Sequence, residues 1–186
     1  MVLGLATTLA AAPVAAQSRV DVGVMGGLTL PTNDMGELYK TGYHMGGTVR
    51  WKNANWPVGI QFDANYHTMG SEDFRFDGGL DVLSGVVSIA WPVELETSNL
   101  VPVLHMGLGV FNLQAKFPRT TEPYGTQTRL GLSFGGGFEW RSYKSRLVPM
   151  FDFRVNGIFG GDPREGAMFL LSGGLKYVFG GKRPRG

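Results

Sequence analysis

The chain contains no cysteine. Disulfides and Cys-ligated metal sites are therefore excluded, and cysteine usage leaves the redox compartment open. Charge is also scarce, at 17% of residues, and the formal net charge is only +2. That balance is too weak to argue for a nucleic-acid partner. Past the first residues, no stretch approaches the roughly 20 apolar residues of a transmembrane helix. Helical periodicity is missing too: apolar residues recur with period two, in segments studded with glycine. The chain is rich instead in glycine, with 29 residues, and in aromatics, at 12%. Such a composition suits many strands joined by tight turns.

The first stretch, MVLGLATTLAAAPVAAQS, differs in kind. It is a run of small and apolar residues ending in Val14-Ala15-Ala16-Gln17. This pattern predicts a secretory signal peptide over residues 1–16 with cleavage near Ala16, although no Lys or Arg precedes Arg19.

From Arg19 onward, eight segments alternate: 19–30, 42–52, 56–68, 80–93, 100–111, 128–141, 147–155 and 167–179. In 56–68, Val58, Ile60, Phe62, Ala64 and Tyr66 oppose Gln61, Asp63, Asn65 and His67. Period two gives a strand with two different faces. The connections 31–41, 69–79, 112–127 and 157–166 are long, whereas 53–55, 94–99 and 142–146 are short. Long and short connections thus alternate, which puts all long loops at one rim and all turns at the other. The last strand, AMFLLSGGLKYVF, carries Leu171, Gly173, Leu175, Tyr177 and Phe179 in one apolar register ending in two aromatics.

On these features the chain resembles the small eight-stranded outer-membrane β-barrel family, which includes OmpA-like and OmpX-like barrels. The resemblance implies an all-β, antiparallel, up-and-down transmembrane barrel over residues 17–179, followed by a basic tail at 180–186. It implies a bacterial outer-membrane location with both termini periplasmic. It also implies that Leu171, Leu175, Tyr177 and Phe179 form the terminal-strand signal read by the barrel-assembly machinery. Seven residues follow Phe179, whereas the family's aromatic is often the final residue.

If the apolar register faces lipid, the polar register faces inward. Arg50, Asp63, Arg129, Glu139, Arg141, Asp152, Arg154 and Lys176 then form a polar network inside a barrel just wide enough to be filled by side chains. Trp51, Trp56, Trp91 and Trp140 fall near short turns, and Tyr43, Tyr66, Tyr143 and Tyr177 lie towards strand ends. They predict an aromatic girdle at the short-turn interface with outer-membrane lipid. His44, His67 and His105 fall in the inward register, where Ser84, Ser88 or Ser133 could approach them. No His faces outward to serve an acyl chain, and no spacing converges a metal site, so neither cofactor nor catalytic residue is assigned.

The function expected is a non-enzymatic barrel serving envelope structure, or surface interaction with an extracellular ligand through its four long loops. Loop 112–127, with Lys116, Arg119 and Tyr124, is the first candidate for a contact. The alternatives are a narrow pore, a lipid-modifying barrel enzyme, or a soluble lipocalin-like barrel around a small apolar ligand. That last arrangement would place the apolar register inside.

Overall fold

The structure, a computed structural model, describes residues 18–71, 78–95, 98–116, 124–142, 145–160 and 166–180. The expected signal peptide and the tail beyond Gly180 lie outside the described residues. So do parts of loops 69–79, 112–127 and 157–166, and Tyr143.

Eight strands form: β1 (Ser18–Asn33), β2 (Gly42–Asn53), β3 (Gly59–Gly70), β4 (Gly79–Pro92), β5 (Leu100–Lys116), β6 (Tyr124–Trp140), β7 (Leu147–Phe159) and β8 (Gly166–Gly180). A five-residue helix, α1 (Asp34–Leu38), follows β1. Each strand pairs antiparallel with its sequence neighbours, and β1 pairs with β8 from Arg19↔Gly180 to Asn33↔Gly166. The barrel is closed, so no strand edge is left to template aggregation.

The structure also settles which register faces in. Along β3 every second residue is buried, starting at Gly59. Gln61, Asp63, Asn65 and His67 are inside, and Ile60, Phe62 and Tyr66 are outside. The same division runs round the barrel, where Leu108 and Val24, each 67% exposed, belong to a continuous outward apolar belt. A lipocalin-like arrangement is thereby corrected, because the apolar register is the outer one.

Three connections are shorter than the alternation suggests. Strands β5 and β6 continue pairing past residue 111, as far as Ala115↔Tyr124, with a register irregularity between Leu113 and Ala115. Residues 112–116 and 124–127 of the expected loop 112–127 are therefore strand. Strand β7 runs on to Phe159, and β1 runs on to Asn33 before α1. The physical reason is common to all three. Beyond the apolar belt both faces are wet, so hydrophobic alternation stops while backbone pairing need not. Asn112 and Thr128, for instance, still meet across the β5–β6 ladder, with Asn112 Nδ2 donating to Thr128 Oγ1 at 3.2 Å.

The interior is layered rather than uniformly polar. At the long-loop end it is apolar: Met69, Leu80, Val82, Val86, Phe111 and Met168 pack together, and Met35 of α1 closes over them. The Met35 side chain lies against Gly166, where a Cβ could enter only if Met35 shifted. Towards the short-turn end the interior becomes polar and then ionic.

Candidate functional site: the lumen and its two rims

Below the apolar cap lies an uncharged layer built on Thr29, His44 and His67. The two imidazoles share one hydroxyl: His44 Nδ1 is 3.1 Å and His67 Nδ1 is 3.0 Å from Thr29 Oγ1. Their other nitrogens reach Ser172 Oγ at 2.8 Å and Ser84 Oγ at 3.1 Å. One hydroxyl proton cannot serve both Nδ1 atoms, so with neutral rings the chain must run in one direction. Ser84 Oγ donates to the Asn65 carbonyl at 3.4 Å. It therefore accepts from His67 Nε2–H. Thr29 then donates to His67 Nδ1 and accepts from His44 Nδ1–H, and Ser172 donates to His44 Nε2. Sequence reasoning brings Ser84 to a His but misses Ser172, because β8 comes next but one to β2, on the far side of β1, only through closure of the barrel.

Deeper still, Arg154 on β7 crosses to Asp63 on β3, Nη1 to Oδ2 at 2.5 Å, and holds Asp152 through Nε at 2.8 Å. His105 Nε2 lies 3.0 Å from the other Asp152 oxygen. Nearest the short turns, Glu139 accepts from three cations. Arg50 Nη2 is at 2.7 Å, Arg141 Nη2 at 2.7 Å and Lys176 Nζ at 2.9 Å. Arg50 also binds Asp21 at 2.6 Å, and Arg19 binds the second Asp21 oxygen at 2.6 Å. Strands β2 and β6, like β3 and β7, lie on opposite walls, so these pairs tie the barrel across its axis. Desolvated charges persist only when paired and hydrogen-bonded in this way.

Of the residues expected inside, Arg50, Asp63, Glu139, Asp152, Arg154 and Lys176 are buried in the lumen. Arg141 lies just beyond β6 and caps the network at its mouth. Arg129 is placed elsewhere: at the long-loop rim, it donates to Gln127 Oε1 at 2.7 Å and to the Gly160 carbonyl at 3.3 Å. The continuation of β6 beyond the belt carries it away from the ionic layer.

Trp51, Trp56, Trp91 and Trp140 all lie exposed at the short-turn rim, with Trp51 and Trp56 edge to face at 5.5 Å. Tyr177 and Phe179 stand in the same band, their ring centroids 4.6 Å apart. Tyr43 and Tyr66 correct the single girdle, because they lie at the opposite rim. There the Tyr66 hydroxyl donates to Asp81, which also binds Lys116 Nζ at 2.5 Å. At the short-turn rim Glu94 is shared by Lys52 Nζ at 3.3 Å and Arg141 Nη1 at 3.4 Å. Burial pushes the Glu94 carboxyl up, but Lys52 and then Arg141 outweigh it and hold it below its ordinary value.

The charged groups of the lumen are bound chiefly to one another. The His–Ser pairs are buried, out of reach of an acyl chain in a surrounding bilayer. Among the described residues, no group of three or more His, Cys, Asp or Glu converges to hold a metal ion.

A closed eight-stranded meander with an apolar outer belt and an ionic lumen defines a class, and the fold is that of the small eight-stranded outer-membrane barrels. Neisserial surface protein A superposes with a TM-score of 0.65 at 15% identity, over 86% of this chain and 97% of that one. Ail, the attachment invasion locus protein of Yersinia pestis, superposes with 0.60 at 12% identity, over 88% and 99%. A major outer membrane protein from Thermus thermophilus gives 0.61 at 12%, over 87% and 99%. No protein-family model matches the sequence, and no curated protein matches it.

Proposed function

We propose that this protein is a non-enzymatic barrel of the bacterial outer membrane with a filled, non-conducting lumen. It serves envelope structure or surface interaction through its long connections. The observation that carries the reading is the pairing of an outward apolar belt with charges tied across the interior. Such a belt would be an aggregation hazard in water and is what lipid requires. Residues 1–16 act as the export signal, and the termini and short turns face the periplasm. The terminal strand, through Leu171, Leu175, Tyr177 and Phe179, is what the barrel-assembly machinery engages.

The long connections face outward to an extracellular ligand. Ail has been crystallised with the heparin analogue sucrose octasulfate. The long-loop end of this chain carries nine Asp and Glu against six Lys and Arg, a balance unsuited to a sulfated polyanion. A neutral or basic partner fits it better.

Fractionation of expressing cells, with heat-modifiability on gels, tests the membrane assignment. The protein should require detergent for extraction and migrate differently before and after boiling. Recovery in the aqueous fraction without detergent would overturn the reading. Planar-bilayer recordings of the folded protein should show no unitary conductance; steady single-channel steps would replace the filled lumen with a pore.

A further inference from the structure

Strand β1 ends over its own pairing partner. Its last residue, Asn33, pairs with Gly166, the first residue of β8. The chain then turns into α1, and Met35 comes back onto that same Gly166. Met35 is buried, whereas Gly36, Glu37 and Leu38 of the same helix are exposed. Among the described residues, every other buried member of the apolar cap belongs to a strand. The far end of the segment is tied down elsewhere. Lys40 N–H donates to the Gly70 carbonyl at 2.8 Å, and Tyr39 bridges to Ser71. Residues 34–40 therefore form a strap from the β1–β8 seam to the end of β3, with Met35 inserted beneath it.

The turn into the strap is strained. Asn33 has φ 57° and ψ −142°, and among the described residues it is the one non-glycine residue with a positive φ. Asparagine tolerates a positive φ in the left-handed helical well, where ψ is about +47°. At the observed ψ the residue lies instead at the edge of a region open essentially to glycine. No side-chain hydrogen bond from Asn33 caps α1 to offset this. Two things hold the backbone there: the ladder to Gly166 and the burial of Met35. Strain at one such residue and burial of one methionine are of the same order, so closed and open straps lie near balance.

We propose that α1 is a lid on the long-loop mouth of the lumen, hinged at Asn33 and latched by Met35 over the apolar cap. Closed, it keeps Met168 and Phe111, both fully buried, away from the medium. Open, it exposes an apolar surface at the mouth while the barrel wall stays intact, because the closed ladder of eight strands does not pass through the strap. The device stands apart from the membrane reading, since it uses no residue of the outer belt.

The chain has no cysteine, so a single introduced thiol is labelled alone. Met168→Cys places one beneath the lid, at the next inward position along β8 from Gly166. The folded protein in detergent micelles would be treated with an anionic, water-soluble methanethiosulfonate, and the labelling rate read by mass. The thiol should react slowly but completely. Asn33→Gly removes the strain of the closed lid; that relief, less the freedom glycine returns to the open one, should slow labelling about fivefold. Asn33→Ala keeps the strain and should label within about twofold of the unaltered hinge. Met35→Gln, similar in length but polar, should label about tenfold faster. Ser133→Cys, a buried reporter on β6 outside the cap, reads opening of the whole barrel and should follow none of these changes. An equal or faster rate in Asn33→Gly, or equal slowing by glycine and alanine, would overturn the hinge. An unchanged rate in Met35→Gln would overturn the latch. No labelling at Met168→Cys, or a Ser133→Cys reporter that follows the same series, would overturn the lid altogether. Heat-modifiability confirms that each variant is folded before labelling. Should Met168→Cys fail to fold, Ile158→Cys, paired directly with Gly166, takes its place as reporter.

Discussion

Arg50 on β2 and Glu139 on β6, 89 residues apart in sequence, meet across the lumen at 2.7 Å, both almost fully buried. Glu139 also holds Lys176 and Arg141, so one carboxylate is shared by cations from β2, from β8 and from the residue just past its own strand. Removing its charge leaves those cations desolvated with Asp21 as their remaining buried acidic partner. Breaking a buried ion pair from one side costs about 3–5 kcal/mol. Glu139→Gln, which keeps the shape, should therefore lower the urea midpoint of unfolding in vesicles by a stability of that order. A midpoint within error of the unaltered protein would show that the network contributes nothing to holding the barrel closed.

The apolar cap offers a steric counterpart. Phe111 lies across two interior glycines: a Cβ on Gly131 would meet the Gly157 carbonyl first and then fall 2.6 Å from Phe111 Cε2, and one on Gly109 would fall 2.9 Å from the same atom. Gly131 has no positive φ, so an alanine there meets a space problem and not a conformational one. Overpacking of this kind costs about 1–3 kcal/mol. Gly173 on the outer face meets nothing within 4 Å, so Gly173→Ala should be close to neutral. Denaturant titration of the two variants side by side checks the contrast. Equal effects would mean that the inner wall at Gly131, between the Gly157 carbonyl and Phe111, is not close-packed.

These two layers show what the sequence could and could not disclose. Strict alternation in 56–68 revealed β3, and the rhythm of long and short connections revealed the meander, because both follow from local pattern. Alternation alone did not distinguish inside from outside. That came from closure, which makes the outer face continuous. The charged inward residues were legible as a set, but their partners were not. Arg50 with Glu139 and Arg154 with Asp63 are long-range pairs fixed by barrel geometry. The apolar cap is not visible in the alternation because Val82 and Val86 are apolar on the inward face of β4, where they belong to one buried cluster with Phe111 and Met168. Strand extensions such as 112–116 were hidden because pairing outlasts the belt that produces the pattern.

The closing seam supports a third test. Tyr177 pairs with Val22, and Phe179 with Val20, so the aromatic end of β8 is also where the sheet joins itself. Tyr177→Asp with Phe179→Asp places two charges on the outer face at this seam, while leaving Lys176 and its bond to Glu139 in the inward register. The protein should still be exported but should accumulate outside the membrane, without a heat-modifiable form. A normally inserted, heat-modifiable barrel would count against the assembly role of this strand.

Leu108 tests the lipid-facing belt itself. It stands at the middle of β5, 67% exposed, flanked across the ladders by Val87 and Leu132. In water, replacing so exposed a leucine would change stability by no more than about 0.5 kcal/mol. At the midplane of a bilayer, an arginine on the lipid face costs about 2–4 kcal/mol, falling to about 0–1 kcal/mol near the interface. Leu147 is also exposed and outward, but it opens β7 at the short-turn rim, level with the Trp band. Leu108→Arg should therefore destabilise the barrel in vesicles by clearly more than Leu147→Arg. Urea titrations of both variants in the same lipid read that difference. The depth dependence is what matters: a barrel standing in water would feel neither change strongly, and one loosely adsorbed to a membrane would show no gradient along the strand. Equal, small effects at both positions would remove the bilayer from the account of this outer face.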